Sequence, residues 1–313
     1  MARVLLTRRI PSSVLTLLES RHTVDLYTGE GAIPRDELMR RVADKDALIC
    51  VLTDRIDAAV VEAAPALKVV ANIAVGYENV DVPAARARGI VVTNTPDVLT
   101  EAVAEFTWGL ILGIARRIAE GDRLVRAGAW KGFAFDFMLG MELRGKQLGI
   151  IGGGRIGKAV GAKAPAFGMT AVFAGRQDRP GPDPSRVSID ELLVSSDVIS
   201  IHVPATPGTR HLINKRTLAR MKRSAILVNT ARGSVVDEEA LVWALGERLI
   251  AGAALDVYER EPEIHPGLRN HENVVLAPHL GSATRETRTA MAELAVRNAL
   301  AVLEGDEPLT PVT

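Results

Sequence analysis

Cysteine and aromatic residues are scarce in this chain, and neither sign of charge predominates. Among 313 residues there is one cysteine, 4% are aromatic, and Lys plus Arg number 38, as do Asp plus Glu. A single cysteine cannot form an internal disulfide, which suits a reducing cytosol, so we expect a cytoplasmic protein. The balanced charge argues against a nucleic-acid partner, because such domains are usually basic, and against a polybasic membrane anchor.

Long apolar runs are also missing. No run approaches the roughly 18 residues of a membrane span, and the start, MARVLLTRRIPSS, has too short an apolar core for a signal peptide. No group of His, Cys, Asp and Glu has metal-ligand spacing, so we predict no metal. Cys50 lies within the apolar run ALICVL (47–52), which favours a buried thiol over a nucleophile.

Short apolar runs alternate with helical patterns along most of the chain. The first series, RVLLT, TVDLY, ALICVL, KVVANI and IVVTN, ends near residue 94; the second starts at QLGIIGGG and runs to about 276. This alternation predicts α/β architecture with two Rossmann-like, doubly wound parallel-sheet domains. A last helix, near 285–304, follows the second sheet, so we expect it to return to the first domain and make that domain discontinuous.

A glycine-rich turn, GIIGGGRIGKAVG (149–161), opens the second series. Gly152, Gly154 and Gly157 match the pattern in which glycines make the tight turn, admit a pyrophosphate and pack helix on strand. The pattern alone is weak, since glycine-rich turns also join ordinary elements. Here an apolar strand precedes it and a helix follows, and another strand comes about twenty residues later, which favours dinucleotide binding.

The next strand ends in VFAGRQDRPGPDP (172–184), without the acid that binds the ribose hydroxyls of NAD. Gly175 leaves room there, and Arg176 can pair with a 2′-phosphate, because arginine binds phosphate well. We therefore expect NADPH to be preferred, with NADH possible. The alternative is that Arg176 is only a solvated residue at a strand end.

Three polar motifs follow later strands, at the sheet edge where open α/β sheets place their ligands. They are ILVNTARGSVVDEEAL (226–241), AGAALDVYEREP (251–262) and VVLAPHLGSAT (274–284). They present Arg232, Glu261 and His279. Taken singly, His279 could be a capping or core residue and Arg232 could brace a turn; their common place at the sheet edge favours a catalytic set.

With VGYENVD (75–81), NTPDVLTEAVAEFTWGLIL (94–112) and VPATPGTRHLIN (203–214), the sequence resembles the D-2-hydroxyacid dehydrogenase family over nearly its whole length. TPDVLTE and FAGRQDRP are similar to the glyoxylate/hydroxypyruvate reductase branch. The resemblance implies a substrate-binding domain of residues 1–98 and 287–313 and a dinucleotide-binding domain of residues 99–286. It also implies a homodimer, although Phe137 stands where close relatives often carry a tryptophan that reaches the neighbouring subunit's active site.

The resemblance also assigns the site residues. It makes Arg232, Glu261 and His279 catalytic, and Val75, Gly76, Arg232, His279 and Ser282 substrate-binding. It implies that the coenzyme contacts Gly152, Gly154, Arg155, Ile156, Gly157, Gly175, Arg176, Gln177, Val203, Pro204, Thr209, Thr230 and Asp256.

These assignments predict NADPH-dependent reduction of glyoxylate or hydroxypyruvate to glycolate or D-glycerate. Arginine suits the carboxylate of a 2-keto acid, and histidine titrates near neutral pH, as the proton donor to the carbonyl oxygen must. A carboxylate from Glu261 would fix the tautomer of His279 and favour its imidazolium form. The alternatives are a broader 2-ketoacid reductase for bulkier substrates and, from another class, a coenzyme-sensing binding protein, which the complete catalytic set disfavours.

Overall fold

The computed structural model describes residues 1–175 and 185–312. They form two compact units, one of Met1–Leu99 with Thr284–Thr313 and one of Thr100–Ala283. The sequence-based boundaries lay at residues 98 and 286, and the roles given to the two units stay predictions.

Eleven strands and twelve α-helices are found among the described residues. The strands are β1 (Arg3–Leu6), β2 (Thr23–Leu26), β3 (Ala47–Val51), β4 (Val69–Ile73), β5 (Val91–Thr93), β6 (Gln147–Ile151), β7 (Thr170–Ala174), β8 (Val198–Ile201), β9 (Ile226–Asn229), β10 (Gly252–Leu255) and β11 (Val274–Leu276). The helices are α1 (Ser12–Glu19), α2 (Arg35–Val42), α3 (Ala58–Glu62), α4 (Val82–Ala87), α5 (Thr100–Ala115), α6 (Ile118–Arg126), α7 (Arg155–Lys163), α8 (Ile189–Ser195), α9 (Lys215–Leu218), α10 (Glu238–Gly246), α11 (Pro266–Arg269) and α12 (Arg285–Glu304).

The first unit is a five-stranded parallel sheet in the order β2-β1-β3-β4-β5. Helix α12 lies on β3 and β4 and buries Ala292, Ala295, Val296 and Ala299 in the core of this unit. Its return confirms the prediction of a discontinuous first domain. The Thr284 hydroxyl accepts the Thr287 N–H where the helix begins, a favourable cap.

The second unit is a six-stranded parallel sheet in the order β11-β10-β9-β8-β6-β7. Every residue of β8, β9 and β10 is buried, as expected of parallel strands with both faces covered. Both sheets confirm the predicted fold class. Strand β6 has β7 on one side and β8 on the other, so the strand order changes direction at β6. Open α/β sheets bind their ligands at such a point, at the carboxyl ends of the strands.

Cys50 is fully buried in β3, and burial raises the pKa of its thiol well above the usual range. The prediction of a buried strand thiol is confirmed. Among the described residues, no helix is long and apolar enough to cross a membrane. No group of three or more His, Cys, Asp or Glu side chains within those residues could hold a metal ion.

The segment after α5 differs from the sequence-based prediction. The helical pattern LTEAVAEFTWGLILGIARRIAEG predicts one helix over 99–121, and the glycines and aromatics of 121–146 predict a loop-rich excursion. Instead α5 ends at Ala115, and α6 runs from Ile118 to Arg126, across the predicted boundary. Arg117 lies between them in the left-handed region, with φ of 54°. Residues other than glycine rarely adopt that conformation. An arginine in a helical pattern therefore does not indicate a break in the helix.

Candidate active site

The glycine-rich turn joins β6 to α7. Gly152 has φ of +108°, and a Cβ there would lie 2.4 Å from the carbonyl oxygen of His202. A Cβ on Gly157 would lie 2.0 Å from the carbonyl oxygen of Gly152. The backbones therefore approach too closely at both positions for any other residue.

A dinucleotide phosphate fits the start of α7. Gly154 precedes the helix and offers no side-chain cap, and a Cβ on it would meet nothing within 4 Å. Helix α7 begins at Arg155, and the amide groups of its first turn point out of the helix N-terminus. Together with the positive end of the helix dipole, they suit a pyrophosphate.

The tip of β7 carries the residues expected to select the coenzyme. Gly175 has φ of +143°, a conformation open to glycine, and its Cβ position is 3.6 Å from the Gly152 Cα. Arg176 and Gln177 lie outside the described residues. The predicted roles of all three stay predictions.

Sequence reasoning missed a second arginine near the same turn. Arg186 Nη2 lies 3.3 Å from the Cβ position of Gly153. The backbone of this segment is held against β7, because the Phe173 N–H donates to the Ser185 carbonyl (2.7 Å) and the Val187 N–H to the Phe173 carbonyl (3.0 Å). A guanidinium group therefore stands beside the glycine-rich turn. The thirty-odd residues that separate them in sequence gave no signal of this.

His279 and Glu261 form a close pair at the carboxyl edge of the second sheet. His279 Nδ1 lies 2.8 Å from Glu261 Oε2, and Glu261 Oε1 accepts the Tyr258 N–H at 3.0 Å. Both side chains are partly exposed, at 31% and 28%. Because the carboxylate occupies Nδ1, Nε2 is the ring nitrogen that can meet a substrate.

The charge of Glu261 is stabilised by its neighbours. Burial alone would raise the pKa of this carboxyl, but the hydrogen bond and charge of His279, the Tyr258 N–H and the charge of Arg232 together hold it below its usual value. Glu261 is therefore ionised throughout the neutral pH range. The effect of Arg232 shows that the three predicted catalytic side chains share one electrostatic environment.

Arg232 is held on a turn after β9. The Asn229 Nδ2 donates to the Arg232 carbonyl at 2.9 Å, and the Arg232 Nη1 donates to the Ala231 carbonyl at 2.7 Å. Gly233 follows, and a Cβ on it would lie 1.8 Å from the carbonyl carbon of Tyr258. The arginine turn thus packs directly on the segment that leads to Glu261. The Arg-Gly pair in the sequence was the available signal for this contact.

Asp256, predicted to bind coenzyme, also contacts the histidine loop. The residue is 1% exposed; its carboxylate accepts the Leu280 N–H at 2.7 Å and the Gly281 N–H at 2.8 Å, while its backbone carbonyl accepts the His279 N–H at 3.0 Å. Burial raises the pKa of Asp256 against the opposing effect of the two N–H donors. These bonds hold His279 at φ of +56°, in the left-handed region that is uncommon for residues other than glycine. The coenzyme role of Asp256 stays a prediction.

The remaining predicted residues lie in loops after strands of the two units. Thr209 closes its own loop by donating to the Pro204 carbonyl at 2.6 Å, close to Val203. Thr230 bonds the Thr107 hydroxyl at 2.9 Å. Ser282 is half-buried after Gly281.

Val75 and Gly76 belong to the first unit, whereas Arg232, Glu261, His279 and Ser282 belong to the second. The carbonyls of Val75 and Gly76 accept hydrogen bonds from Asn94 and Asn72, at 2.8 and 2.9 Å. Their substrate-binding role stays a prediction.

Known proteins match this chain over nearly its full length. The family model of the NAD-binding domain of D-isomer specific 2-hydroxyacid dehydrogenases matches residues 108–281. A glyoxylate reductase of Thermofilum pendens is 50% identical over 98% of this chain and 93% of its own, and one of Thermococcus kodakarensis is 47% identical over 99% and 96%.

Two solved structures are also similar. The TT0316 protein from Thermus thermophilus aligns with a TM-score of 0.95 at 48% identity, over 99% of this chain and 100% of its own. The NADPH-dependent glyoxylate/hydroxypyruvate reductase from Sinorhizobium meliloti, in complex with NADP and malonate, aligns with a TM-score of 0.88 at 36% identity, over 100% and 97%.

Substituting Gly157→Ala should impair coenzyme binding, because its Cβ would collide with the Gly152 carbonyl and force the turn apart. We expect at least a roughly tenfold weaker affinity, measured by titrating coenzyme against intrinsic tryptophan fluorescence. Gly246→Ala is the matched control, since a Cβ there meets nothing within 4 Å at the end of α10. Equal affinities in the two variants would show that the close approach does not matter.

Proposed function

This chain belongs to the D-isomer specific 2-hydroxyacid dehydrogenase family and is an oxidoreductase, and on that premise we propose that it reduces glyoxylate and hydroxypyruvate with NADPH. The products would be glycolate and D-glycerate. The observation that carries the proposal is the His279–Glu261 pair at 2.8 Å, with Arg232 contributing to the same electrostatic environment. Relatives named glyoxylate reductase, at 50% and 47% identity, support the choice of substrate.

Arg232 would bind the substrate carboxylate. Its guanidinium is a planar fork of donors that matches two carboxylate oxygens. The turn that carries it is braced by Asn229 and by the packing of Gly233 on Tyr258. A bound keto acid would therefore meet an arginine whose backbone is already in place.

His279 would donate the proton. When bound, a reduced nicotinamide coenzyme supplies the hydride that goes to C2 of the keto acid. Negative charge then develops on the carbonyl oxygen, and the His279 Nε2 can deliver a proton to it. Glu261 holds the ring by its Nδ1, which leaves Nε2 to face the substrate. Asp256 maintains the loop that presents the histidine.

NADPH is the proposed coenzyme because positive charge replaces the missing acid around β7. No acid occurs at the tip of that strand before Asp178, and Arg176 follows Gly175 in the sequence. Arg186 supports the same preference, since its guanidinium stands beside the glycine-rich turn. The Sinorhizobium meliloti relative is described as NADPH-dependent and was solved with NADP.

A homodimer is also proposed. The segment 130–139 presents Trp130, Phe133, Phe135 and Leu139 with exposures of 58%, 82%, 92% and 67%. Such a concentration of exposed apolar side chains is typical of a protein–protein interface. A second copy of this chain is the partner that the family resemblance implies.

Substrate choice is tested by kcat/KM for glyoxylate, hydroxypyruvate, pyruvate and a bulkier 2-keto acid. We expect kcat/KM to be highest for glyoxylate and hydroxypyruvate. A higher kcat/KM for the bulkier acid would favour the broader 2-ketoacid reductase, and coenzyme binding without any oxidation of NADPH would favour a binding protein.

Substituting His279 and substituting Glu261 should cause different kinetic defects. His279→Ala should lower kcat at least ~100-fold, because the proton donor is gone, while coenzyme affinity stays unchanged. Glu261→Gln should lower the rate and also remove the acidic limb that protonation of Glu261 imposes on the pH–rate profile, because glutamine cannot ionise whereas the pKa of Glu261 is held below its usual value. Full activity in His279→Ala would refute the assignment.

Coenzyme preference predicts a selective effect at Arg176. Arg176→Ala should raise KM for NADPH roughly tenfold or more, since a charge-assisted bond to phosphate is lost, with little change for NADH. The measurement is kcat/KM for each coenzyme at saturating glyoxylate. An equal loss with both coenzymes would return Arg176 to the role of a solvated surface residue.

The dimer is tested by sedimentation equilibrium. Wild-type protein should show twice the chain mass of 33.5 kDa. Replacing Phe133 and Phe135 by serine should weaken association, because both rings are largely exposed on the single chain. A wild-type particle of 33.5 kDa at micromolar concentration would contradict the proposal.

A further inference from the structure

A buried carboxylate outside the predicted catalytic set lies beneath the loop that carries Glu261. Glu238 is the first residue of α10 and is 7% exposed. No ion pair found among the described residues involves it. A carboxylate in this position must be compensated by hydrogen bonds, since burial of an unpaired charge is costly.

The compensation comes from the backbone of one loop, residues 259–265. Glu238 Oε1 accepts the Glu259 N–H at 2.9 Å, and Oε2 accepts the His265 N–H at 3.3 Å. The two bonds enclose the segment that contains Glu261. Neither amide group belongs to a strand or to an extended helix, so the carboxylate supplies what secondary structure does not.

The helix start is suited to hold a negative charge here. Asp237 caps α10 by accepting the Ala240 N–H at 3.0 Å, which fixes the backbone from which Glu238 projects. The positive end of the helix dipole also favours a carboxylate in the first turn. Glu239, the next residue, is exposed and makes no comparable contact with the loop.

From this geometry we infer that Glu238 is a positioning residue for the reductase reaction, holding the Glu261 carboxylate against His279 by clamping both ends of its loop. Glu238 does not touch the reacting groups. Its effect reaches the chemistry through Glu261, whose Oε1 accepts the Tyr258 N–H and whose Oε2 meets His279. The inference rests on the proposed function, because it assigns Glu238 to the same proton-transfer pair.

Other charged groups face this loop and define its surroundings. Glu259 Oε1 lies 2.5 Å from His211 Nε2 and 3.9 Å from an Arg210 nitrogen, and His211 Nδ1 is 4.0 Å from Asp237. These contacts hold the side chain of Glu259, whereas Glu238 holds the backbone on both sides of Glu261. The two supports are therefore separable by mutation.

Glu238→Gln is the sharpest test, because glutamine keeps the size of the side chain. One of its terminal atoms can still accept an N–H, but the amide nitrogen would face the other N–H as a second donor. We expect kcat to fall about tenfold, as loss of a bond to a charged group allows, with the acidic limb of the pH–rate profile moved to higher pH, because the hydrogen bond with His279 is what helps to hold the pKa of Glu261 down. KM for NADPH should stay within about twofold, because the glycine-rich turn is untouched.

Glu239→Gln is the matched control, with the same chemical change on the exposed side of the same helical turn, and it should behave as wild type. A Glu238→Gln enzyme with the profile and kcat of Glu239→Gln would overturn the inference. So would a lower melting temperature with an unshifted pH profile, since that would reveal a structural role alone. If the glutamine variant does not fold, Glu238→Asp retains the charge but shortens the reach; an unshifted profile there would equally refute it.

Failure of the proposed function would look different. In that case His279→Ala would keep full activity, or the wild type would not oxidise NADPH with either keto acid. With the function intact, only the comparison of Glu238 variants with Glu239→Gln decides the positioning role.

Discussion

The hydrogen bond between Glu261 and His279 is the interaction that the candidate site depends on. It joins two loops eighteen residues apart, and neither loop has regular secondary structure to keep it in place. A carboxylate and an imidazole hold each other's orientation only while both backbones stay fixed. In the second unit, two buried carboxylates fix these backbones. Asp256 accepts two N–H groups of the loop that carries His279, and Glu238 accepts two from the loop that carries Glu261.

Parallel sheet geometry explains why these loops meet at all. The carboxyl ends of β9, β10 and β11 lie side by side, so Arg232, Asp256 and His279 emerge at one edge. Burial of a carboxylate ordinarily favours its neutral form, and burial does raise the pKa of Asp256. For Glu261, the hydrogen bond with His279, together with the His279 charge, the Tyr258 N–H and the Arg232 charge, outweighs burial, and the pKa falls. Two acids in the same region of the second unit therefore have pKa values shifted in opposite directions, upward for Asp256 and downward for Glu261.

The predicted coenzyme site, at the glycine-rich turn, depends on residues without side chains. Gly152 and Gly157 allow backbone contacts that a Cβ would prevent, and Gly154 leaves the start of α7 open. Positive charge is then added from outside the turn by Arg186, and in the proposed function by Arg176. In the proposed function, selectivity for the phosphorylated coenzyme would arise from this charge, while the turn itself would bind the part that both coenzymes share.

The sequence by itself determined the alternation of strands and helices, the glycine-rich turn and the residue types placed after each late strand. Those features are local, because periodicity, glycine spacing and a polar residue after an apolar run are all visible within a dozen residues. Tertiary structure alone decided the break at Arg117, the position of Arg186, the bracing role of Asp256 and the burial of Glu238. Each of these depends on which distant backbone groups come within about 3 Å. In the sequence, Glu238 and Glu239 are adjacent and chemically identical; only the packing of α10 against the 259–265 loop makes one a buried acceptor and leaves the other in solvent.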